Sequence, residues 1–428
     1  MNLNNIIELI NISKGKYNLE FYLIGGAVRD LLTGNDPTDL DFNFIGQKQS
    51  VEKFIKEIFE PKEIHTSQFN TYKFKYNTFD IDFAMCRKEK YNNPAALPEI
   101  NEGNLLEDQQ RRDFSINSIA IKTDDFTQKK FIDPFNGILD IKAKQIKNIH
   151  SNSFSDDPTR IFRAIRYSKR LNFQIDSSTL NEIQIFKDNI ANLSGIRIRN
   201  EIFKILEENQ PIDTLIECEK FKLFKHLNID LILPPYLPSW EKMEINDRNL
   251  LFTQNESLTD KILLFLSTFL CESSNESILK ISKDFSFEKS IVNNWINIVK
   301  MKNDLDKFNF RKDQNSKLHS ILNKSTKSIC LGLTQWYGKS KSIRIIKYWN
   351  KIRLIKPKLN TDDLFSIGIP EGPILGKIKK ELEWYAIDWP DTSVKEQRGF
   401  AECLYSQELE HERDPGDDNY PWREFLAY

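Results

Sequence analysis

Tyr22-Leu23-Ile24-Gly25-Gly26-Ala27-Val28-Arg29-Asp30-Leu31-Leu32 joins an apolar β-type run to a helical pattern through two glycines. Glycines at a strand-to-helix turn let backbone N–H groups close on an anion, and a helix N-terminus favours negative charge. Arg29 lies one turn on, where its guanidinium can add a contact to phosphate. Shortly after, Thr38-Asp39-Leu40-Asp41-Phe42-Asn43-Phe44 alternates strictly between polar and apolar residues. As a strand it puts Asp39, Asp41 and Asn43 on one face and Leu40, Phe42 and Phe44 on the other, toward a core. Two carboxylates so placed repel unless a cation binds between them. Magnesium, which takes hard oxygen ligands and shares substrate phosphates, suits the pair. Phe79-Asp80-Ile81-Asp82-Phe83 repeats the alternation, so either Asp80 or Asp82 can approach the first pair across a sheet as a third acid. Such a site suits nucleotidyl transfer, with Asp82 as base or second metal ligand.

Two later segments add charge of the right kind. In Asp156-Asp157-Pro158-Thr159-Arg160-Ile161-Phe162-Arg163-Ala164-Ile165-Arg166-Tyr167, Asp157 suits a helix N-cap and Pro158 the first helical position. Arg160 and Arg163 then share a helical face, with Asp157 beside Arg160. A carboxylate accepting from cytosine N4 next to a donating guanidinium can read a nucleobase edge. The other segment is Arg111-Arg112-Asp113-Phe114-Ser115-Ile116-Asn117. Singly, each feature also fits an ordinary turn, a polar strand face or a capped helix with a solvated basic side.

Beyond these runs the chain divides by texture. Its 428 residues predict roughly three domains. Tyr22–Ile24, Leu40–Phe44, Tyr72–Tyr76, Phe79–Ala84 and Ser118–Ile121 read as strands within the first 150 residues. From Asp156 onward apolar residues recur at helical spacing, as in Ile198/Ile202/Ile205/Leu206 and Ile262/Leu263/Leu266/Leu270. The expected class is therefore α+β, an α/β head followed by an all-helical body and tail. Its boundaries are a head over 1–150, a helical neck over 151–215, a body and tail over 216–390 and an acidic extension over 391–428. Gly368-Ile369-Pro370-Glu371-Gly372-Pro373 marks a turn between helices, and the acidic stretch from Gln407 reads as a solvated tail.

Composition narrows the function classes. The 61 basic and 62 acidic residues leave a net charge of −1, so any nucleic-acid site must be a local patch. Five scattered cysteines and five dispersed histidines give neither a disulfide framework nor a zinc-site spacing. No signal-peptide pattern opens the chain, and Ile262–Leu270 is far shorter than a membrane span of ~20 residues. A reduced, soluble, cytoplasmic protein is expected. Lys339 to Arg353 contains no acid, and its Lys339, Lys341, Arg344, Lys347, Lys351 and Arg353 on an aromatic-bearing helix can follow an RNA backbone.

In this order the segments resemble the class II tRNA nucleotidyltransferase/bacterial poly(A) polymerase family. The match runs from the double-glycine turn and Asp39-Leu40-Asp41, through Arg111 to Asn117 and Asp157 to Tyr167, to Ser194-Gly195-Ile196-Arg197-Ile198-Arg199-Asn200-Glu201. The resemblance implies a polymerase-β-like nucleotidyltransferase head. It implies magnesium on Asp39 and Asp41, with Asp82 favoured over Asp80 as the third catalytic acid. Gly25, Gly26 and Arg29 would hold the triphosphate, and Arg112, Asp113 and Asn117 the ribose and phosphates. Asp157 and Arg160, with Arg163 adjacent, would select CTP or ATP without a nucleic-acid template. Arg197 and Glu201 would orient those side chains as an i,i+4 ion pair. Two positions depart from the family pattern, which has Glu where this chain has Asp156 and often Glu where it has Ile196.

The implied activity is addition of CMP and AMP from CTP and ATP to the 3′ end of tRNA, with contacts to the acceptor stem and no DNA or membrane partner. The stretch Arg87 to Glu99, with Pro94-Ala95-Ala96-Leu97-Pro98, corresponds to a loop that shifts specificity from CTP to ATP in this family. Its pattern is similar to lineages that divide the task between CC-adding and A-adding enzymes. Full CCA addition, either partial addition and poly(A) synthesis all remain open at this point. A nucleotide-sugar transferase would explain Asp39-Leu40-Asp41 but not the template helix, and a non-catalytic RNA-binding protein would not need carboxylates on strand faces. No His-Asp phosphohydrolase pair is evident in the body, so no added phosphatase activity is expected.

Overall fold

A computed structural model of the chain describes residues 2–67, 71–209, 211–227, 229, 232, 234–235 and 256–413. These fall into two compact units. The first holds the described residues up to 229 with Lys283–Ser286, and the second holds most of the remainder.

The first unit is built on a seven-stranded mixed sheet. Its strands are β1 (Glu20–Ile24), β2 (Asp39–Ile45), β3 (His65–Thr66), β4 (Thr71–Tyr76), β5 (Phe79–Met85), β8 (Ala120–Lys122) and β9 (Phe131–Ile132). Their spatial order is β3-β4-β5-β2-β1-β8-β9, and only β2 and β5 run parallel. The strict alternation of β2 and β5 sorts their side chains. Phe42, Phe44, Ile81 and Phe83 are buried beside Phe21 and Phe74, and the Lys48–Ile58 helix adds Val51, Phe54 and Ile55. Phe83 is the hub of this layer, with Phe21, Phe42, Phe54, Phe59 and Phe74 all within ring contact. Burying these rings holds β2 rigid, so the carboxylates on its opposite face sit on a fixed base.

A separate hairpin, β6 (Arg87–Lys90) with β7 (Glu99–Glu102), projects beyond β5. No strand is legible here in the sequence, because the hairpin is polar on both faces, which erases the period-2 signal. Past the head, helices Ser153–Asp156, Thr159–Leu171, Ser177–Phe186, Gly195–Glu207 and Pro211–Lys220 follow.

The second unit is entirely helical among its described residues, from Leu258–Phe269 to Val394–Arg413. Its core includes Trp295, which is fully buried and donates its indole N–H to the Leu270 carbonyl at 2.9 Å. The turn read from sequence separates helices Thr361–Ser366 and Pro373–Asp388, with Gly368 and Gly372 at φ +94° and +143°. The segment assigned to an acidic extension begins as a packed helix. Ala401 lies in a core with Leu364, Ile378 and Leu382, Phe400 stacks on Tyr385 at 4.2 Å, and Glu408 pairs with Lys377. Of the tail acids read as solvated, Glu408 is therefore docked, and Asp414, Asp417 and Asp418 lie outside the described residues.

Candidate active site

Gly25 ends β1 at φ +76°, a backbone conformation that glycine adopts without strain, and the Gly26–Leu32 helix starts there. A Cβ on Gly25 would stand 3.1 Å from Arg112 Nη1 and 3.4 Å from Asp41 Oδ2, so the glycine also clears the centre of the site. Asp39 and Asp41 project from β2 onto the face opposite the phenylalanine core. Burial, with the nearby Asp82 and Asp39 carboxylates, holds the Asp41 carboxyl above its ordinary range against the pull of Arg112.

Register places Asp80 and Asp82 directly beside them, Asp39 opposite Asp80 and Asp41 opposite Asp82. Asp82 is thus the β5 acid level with Asp41, and Asp80 is more exposed and pairs with Lys75. The Asp82 carboxylate, however, is engaged by Lys73 of β4.

Around the carboxylates runs a chain of charged hydrogen bonds. Arg29, only 3% exposed, donates to Asn117 Oδ1 at 2.7 Å and to Asp30. Asn117 donates in turn to Asp113 Oδ1 at 3.1 Å, and the other Asp113 oxygen accepts from Arg163 Nε at 2.8 Å. Burial alone would raise the Asp113 carboxyl, but Arg163, Asn117 and Arg160 together hold it down at about 2. It is therefore a fixed negative charge that locks two arginines in place. Arg112 is fixed by a residue the sequence reading passed over. Asp108, wholly buried, takes Arg111 on Oδ1 at 2.6 Å and Arg112 on Oδ2 at 3.2 Å. Glu89 of the hairpin accepts from Arg87 at 2.8 Å and from Arg111 at 3.3 Å.

The base-reading residues lie together, with different partners from those expected. Asp157 Oδ1 accepts from the Thr159 N–H at 2.9 Å, where the helix begins, while the N-cap position falls on Pro158 and not on Asp157. It does not pair with Arg160. That guanidinium is buried and donates to Ser153 Oγ at 2.7 Å and to the Arg111 carbonyl at 2.6 Å. Nor do Arg197 and Glu201 form the expected i,i+4 pair. Arg197 reaches across to Asp157 Oδ1 at 2.7 Å and to the Ala95 carbonyl at 2.8 Å, and Glu201 pairs with Lys204 at 2.8 Å. Arg197 thus takes the Asp157 carboxylate, which the Thr159 N–H already orients, while Glu201 is buried and held by Lys204. Ala95 N–H also donates to Ser155 O at 3.2 Å, so the loop over Pro94 to Pro98 is tied to the template segment at both ends of one residue.

These groups share one cleft of about 670 Å³. Its wall includes Gly25, Gly26, Arg29, Asp39, Asp41, Arg112, Asp113, Asn117, Asp157, Arg160, Arg163, Arg197 and Glu201. Asp82 lies outside it. Tyr91, Leu97 and Tyr167 supply flat or apolar surface on which a base can lie, and Arg163 packs over the Tyr167 ring at 5.5 Å.

The donor set fits a hard divalent ion. Asp39 and Asp41 present carboxylate oxygens on one strand face, and among the described residues neither is in an ion pair. Among the same residues no three His, Cys, Asp or Glu side chains converge as a closed cage. That suits an ion which keeps waters and phosphate oxygens in its shell.

The basic helix lies in the second unit at Lys339–Asn350. Lys339, Lys341, Lys347 and Lys351 are exposed. Arg344 instead donates to the Phe310 and Asp313 carbonyls at 2.5 and 2.6 Å, and Arg353 stacks on Trp349 at 3.8 Å.

A double-glycine turn facing a strand-borne carboxylate pair, inside a cleft of fixed arginines, is the arrangement of a nucleotidyltransferase-type head domain. Residues 21–147 match the family model described as the poly A polymerase head domain, and residues 172–232 match a probable RNA and SrmB-binding site of polymerase A. Over these residues the chain is similar to tRNA nucleotidyltransferases and poly(A) polymerases, a family that generally uses a divalent metal ion. It is 33% identical over 220 residues to the A-adding tRNA nucleotidyltransferase of Geobacter sulfurreducens, covering 51% of this chain and 25% of that protein. It is 31% identical over 227 residues to that of Halalkalibacterium halodurans, covering 52% and 53% respectively. The chain thus spans a quarter to about half the length of these relatives. A CCA-adding enzyme solved in an apo form matches with a TM-score of 0.79 at 26% identity, over 94% of this chain and 96% of that one. Among the described residues no helix is long and apolar enough to cross a membrane.

Proposed function

We propose that the protein is a template-independent nucleotidyltransferase that adds CMP, AMP or both from CTP and ATP to the 3′ end of tRNA in the cytoplasm. The observation that carries this reading is the convergence in one cleft of the Asp39/Asp41 pair with Asp157, Arg160 and Arg197. It joins a phosphate-handling end to a base-reading end within one cleft of about 670 Å³. Gly25, Gly26, Arg29 and Arg112 hold the triphosphate, with Asn117 fixing the Arg29 guanidinium and Asp108 that of Arg112, while Asp113 holds Asn117 and Arg163. Asp157 and Arg160 face the base edge; Arg197 sets the orientation of Asp157, and Ser153 with the Arg111 carbonyl sets that of Arg160. Asp39 and Asp41 hold magnesium, which when bound supplies charge neutralisation at the phosphates and activation of the attacking 3′-hydroxyl. Asp82 is the third acid. The exposed lysines of Lys339–Asn350 follow the acceptor stem by shape and charge, as A-form RNA requires.

A narrower reading, addition of the terminal A alone, is favoured by one observation. The relatives from Geobacter sulfurreducens and Halalkalibacterium halodurans carry A-adding names. Labelled CTP and ATP, offered separately and together to tRNA transcripts ending before CCA, after C and after CC, test both readings. Both nucleotides incorporated and stopping at CCA supports the complete enzyme. ATP use restricted to the CC-ended acceptor supports A addition, CTP use alone CC addition, and long untemplated runs of A poly(A) synthesis. No incorporation on any acceptor refutes the proposal and returns the chain to an RNA-binding role.

A further inference from the structure

We propose that Lys73 is a cation gate on the third carboxylate: its ammonium holds Asp82 out of the metal site and competes with the divalent ion for it. The proposal rests on the metal reading above and concerns a residue of β4 that has no place in the sequence motifs.

The geometry comes from register across three neighbouring strands. Asp41 of β2 stands opposite Asp82 of β5, which stands opposite Lys73 of β4. Side chains directly opposite one another in a sheet share a face and lie close enough to interact. Asp82 is therefore flanked on one side by an acid of the site and on the other by a lysine, and it bonds to the lysine. The cleft is lined by Asp39 and Asp41 and not by Asp82. No third acidic, His or Cys side chain among the described residues closes on the pair. Yet Asp82 is near enough for its charge, and that of Lys73, to act on Asp41.

Charge balance explains why such a residue belongs there. Without a metal ion, Asp39, Asp41, Asp80 and Asp82 are four carboxylates on one sheet face, with Arg112 as the main counter-charge to Asp41. A positive charge on β4 relieves the repulsion around Asp82. When a divalent ion arrives it supplies the same relief, and Lys73 becomes a nearby like charge that weakens its binding. The Lys73 side chain is 60% exposed and so is free to swing into solvent and release Asp82. The neighbouring triplet Asp39, Asp80 and Lys75 follows the same register, but its outer pair is looser at 3.4 Å and more exposed. Lys73 is thus a positioning residue, acting through Asp82 on metal affinity.

The test is Mn²⁺ binding to the full-length protein without nucleotide, read from the electron paramagnetic resonance signal of the free ion. Lys73→Met, which keeps the stem and removes the charge, is expected to bind Mn²⁺ at least about threefold more tightly than wild type. Lys73→Arg, which keeps the charge, is expected to match wild type. Adding Asp82→Asn to Lys73→Met is expected to cancel the gain. An unchanged or weaker Mn²⁺ affinity in Lys73→Met overturns the gate, as does a gain that survives Asp82→Asn. Wild-type Mn²⁺ binding that is unaffected by Asp41→Asn overturns the metal reading itself, a different failure from that of the gate. Circular dichroism of each variant confirms that the fold is retained, since the replaced Lys73 side chain is mostly in solvent.

Discussion

Replacing Asp108 with Asn changes one atom and one charge at the point where two cleft arginines are anchored. Asp108 is wholly buried, and its oxygens take Arg111 and Arg112 through four hydrogen bonds between 2.6 and 3.2 Å. Removing one partner of a buried ion pair costs ~3–5 kcal/mol. Glu89 still holds Arg111, and an asparagine oxygen still accepts, so the lower figure of about 3 kcal/mol applies. For a unit of about 230 residues, that lowers the melting temperature of the head by roughly 6–12 °C. Arg112 then also loses its aim at the space beside Gly25. One charge-assisted hydrogen bond is worth ~1.5–3 kcal/mol, so ATP should bind roughly 10–100-fold more weakly. Thermal unfolding and ATP titration calorimetry read the two effects separately. The sign of the pH dependence follows from the carboxyl itself. Burial opposes its ionisation, but Arg112 and Arg111 outweigh it and hold the group below its ordinary value. Its contribution is complete above the unfolded value of ~3.9 and is lost as pH falls through the lower folded one. The gap between wild type and variant should therefore narrow below pH ~4. A variant that melts within about 2 °C of wild type at neutral pH and binds ATP equally well would refute the anchoring role.

Four further outcomes are expected. Gly25→Ala places a Cβ at φ +76° and 3.1 Å from Arg112, so nucleotide incorporation should fall at least about tenfold with a stability loss of ~1–3 kcal/mol; full activity would show that the turn tolerates a side chain. Arg197→Met frees both Asp157 and the Ala95 carbonyl, and should change the CTP-to-ATP ratio of kcat/KM by about tenfold, with an unchanged ratio contradicting the coupling. The double change Lys339→Ala and Lys347→Ala should weaken tRNA binding and lower its salt slope by up to ~1.4–1.8 in log units. Arg344→Ala should instead lower the melting temperature, since its guanidinium ties down two carbonyls.

What the sequence made legible was whatever repeats at short range. The alternation of Thr38 to Phe44 and Phe79 to Phe83 reveals both strands, their buried faces and the two carboxylates, because the pleat imposes a period of two. The Asp157 contact to the Thr159 N–H is equally local. What it hid were partners fixed by tertiary contact. Asp108 and Glu89 look like surface acids in the sequence, and only the arrival of Arg111, Arg112 and Arg87 makes their burial affordable. Arg197 finds Asp157 forty residues away in preference to Glu201 on its own helix, a choice that spacing cannot express. Arg344 has the composition of an RNA contact and the position of a structural brace. The β6–β7 hairpin, charged on both sides, carries no periodic signal at all.

The central claim is that Asp39 and Asp41 carry nucleotidyl transfer in a chain that also binds tRNA. Magnesium-dependent incorporation of labelled nucleotide into tRNA by wild type and Asp41→Ala, with tRNA affinity measured on the same preparations, tests it most directly. The account predicts that the substitution abolishes incorporation and leaves tRNA binding largely intact. Incorporation that persists in Asp41→Ala would contradict it.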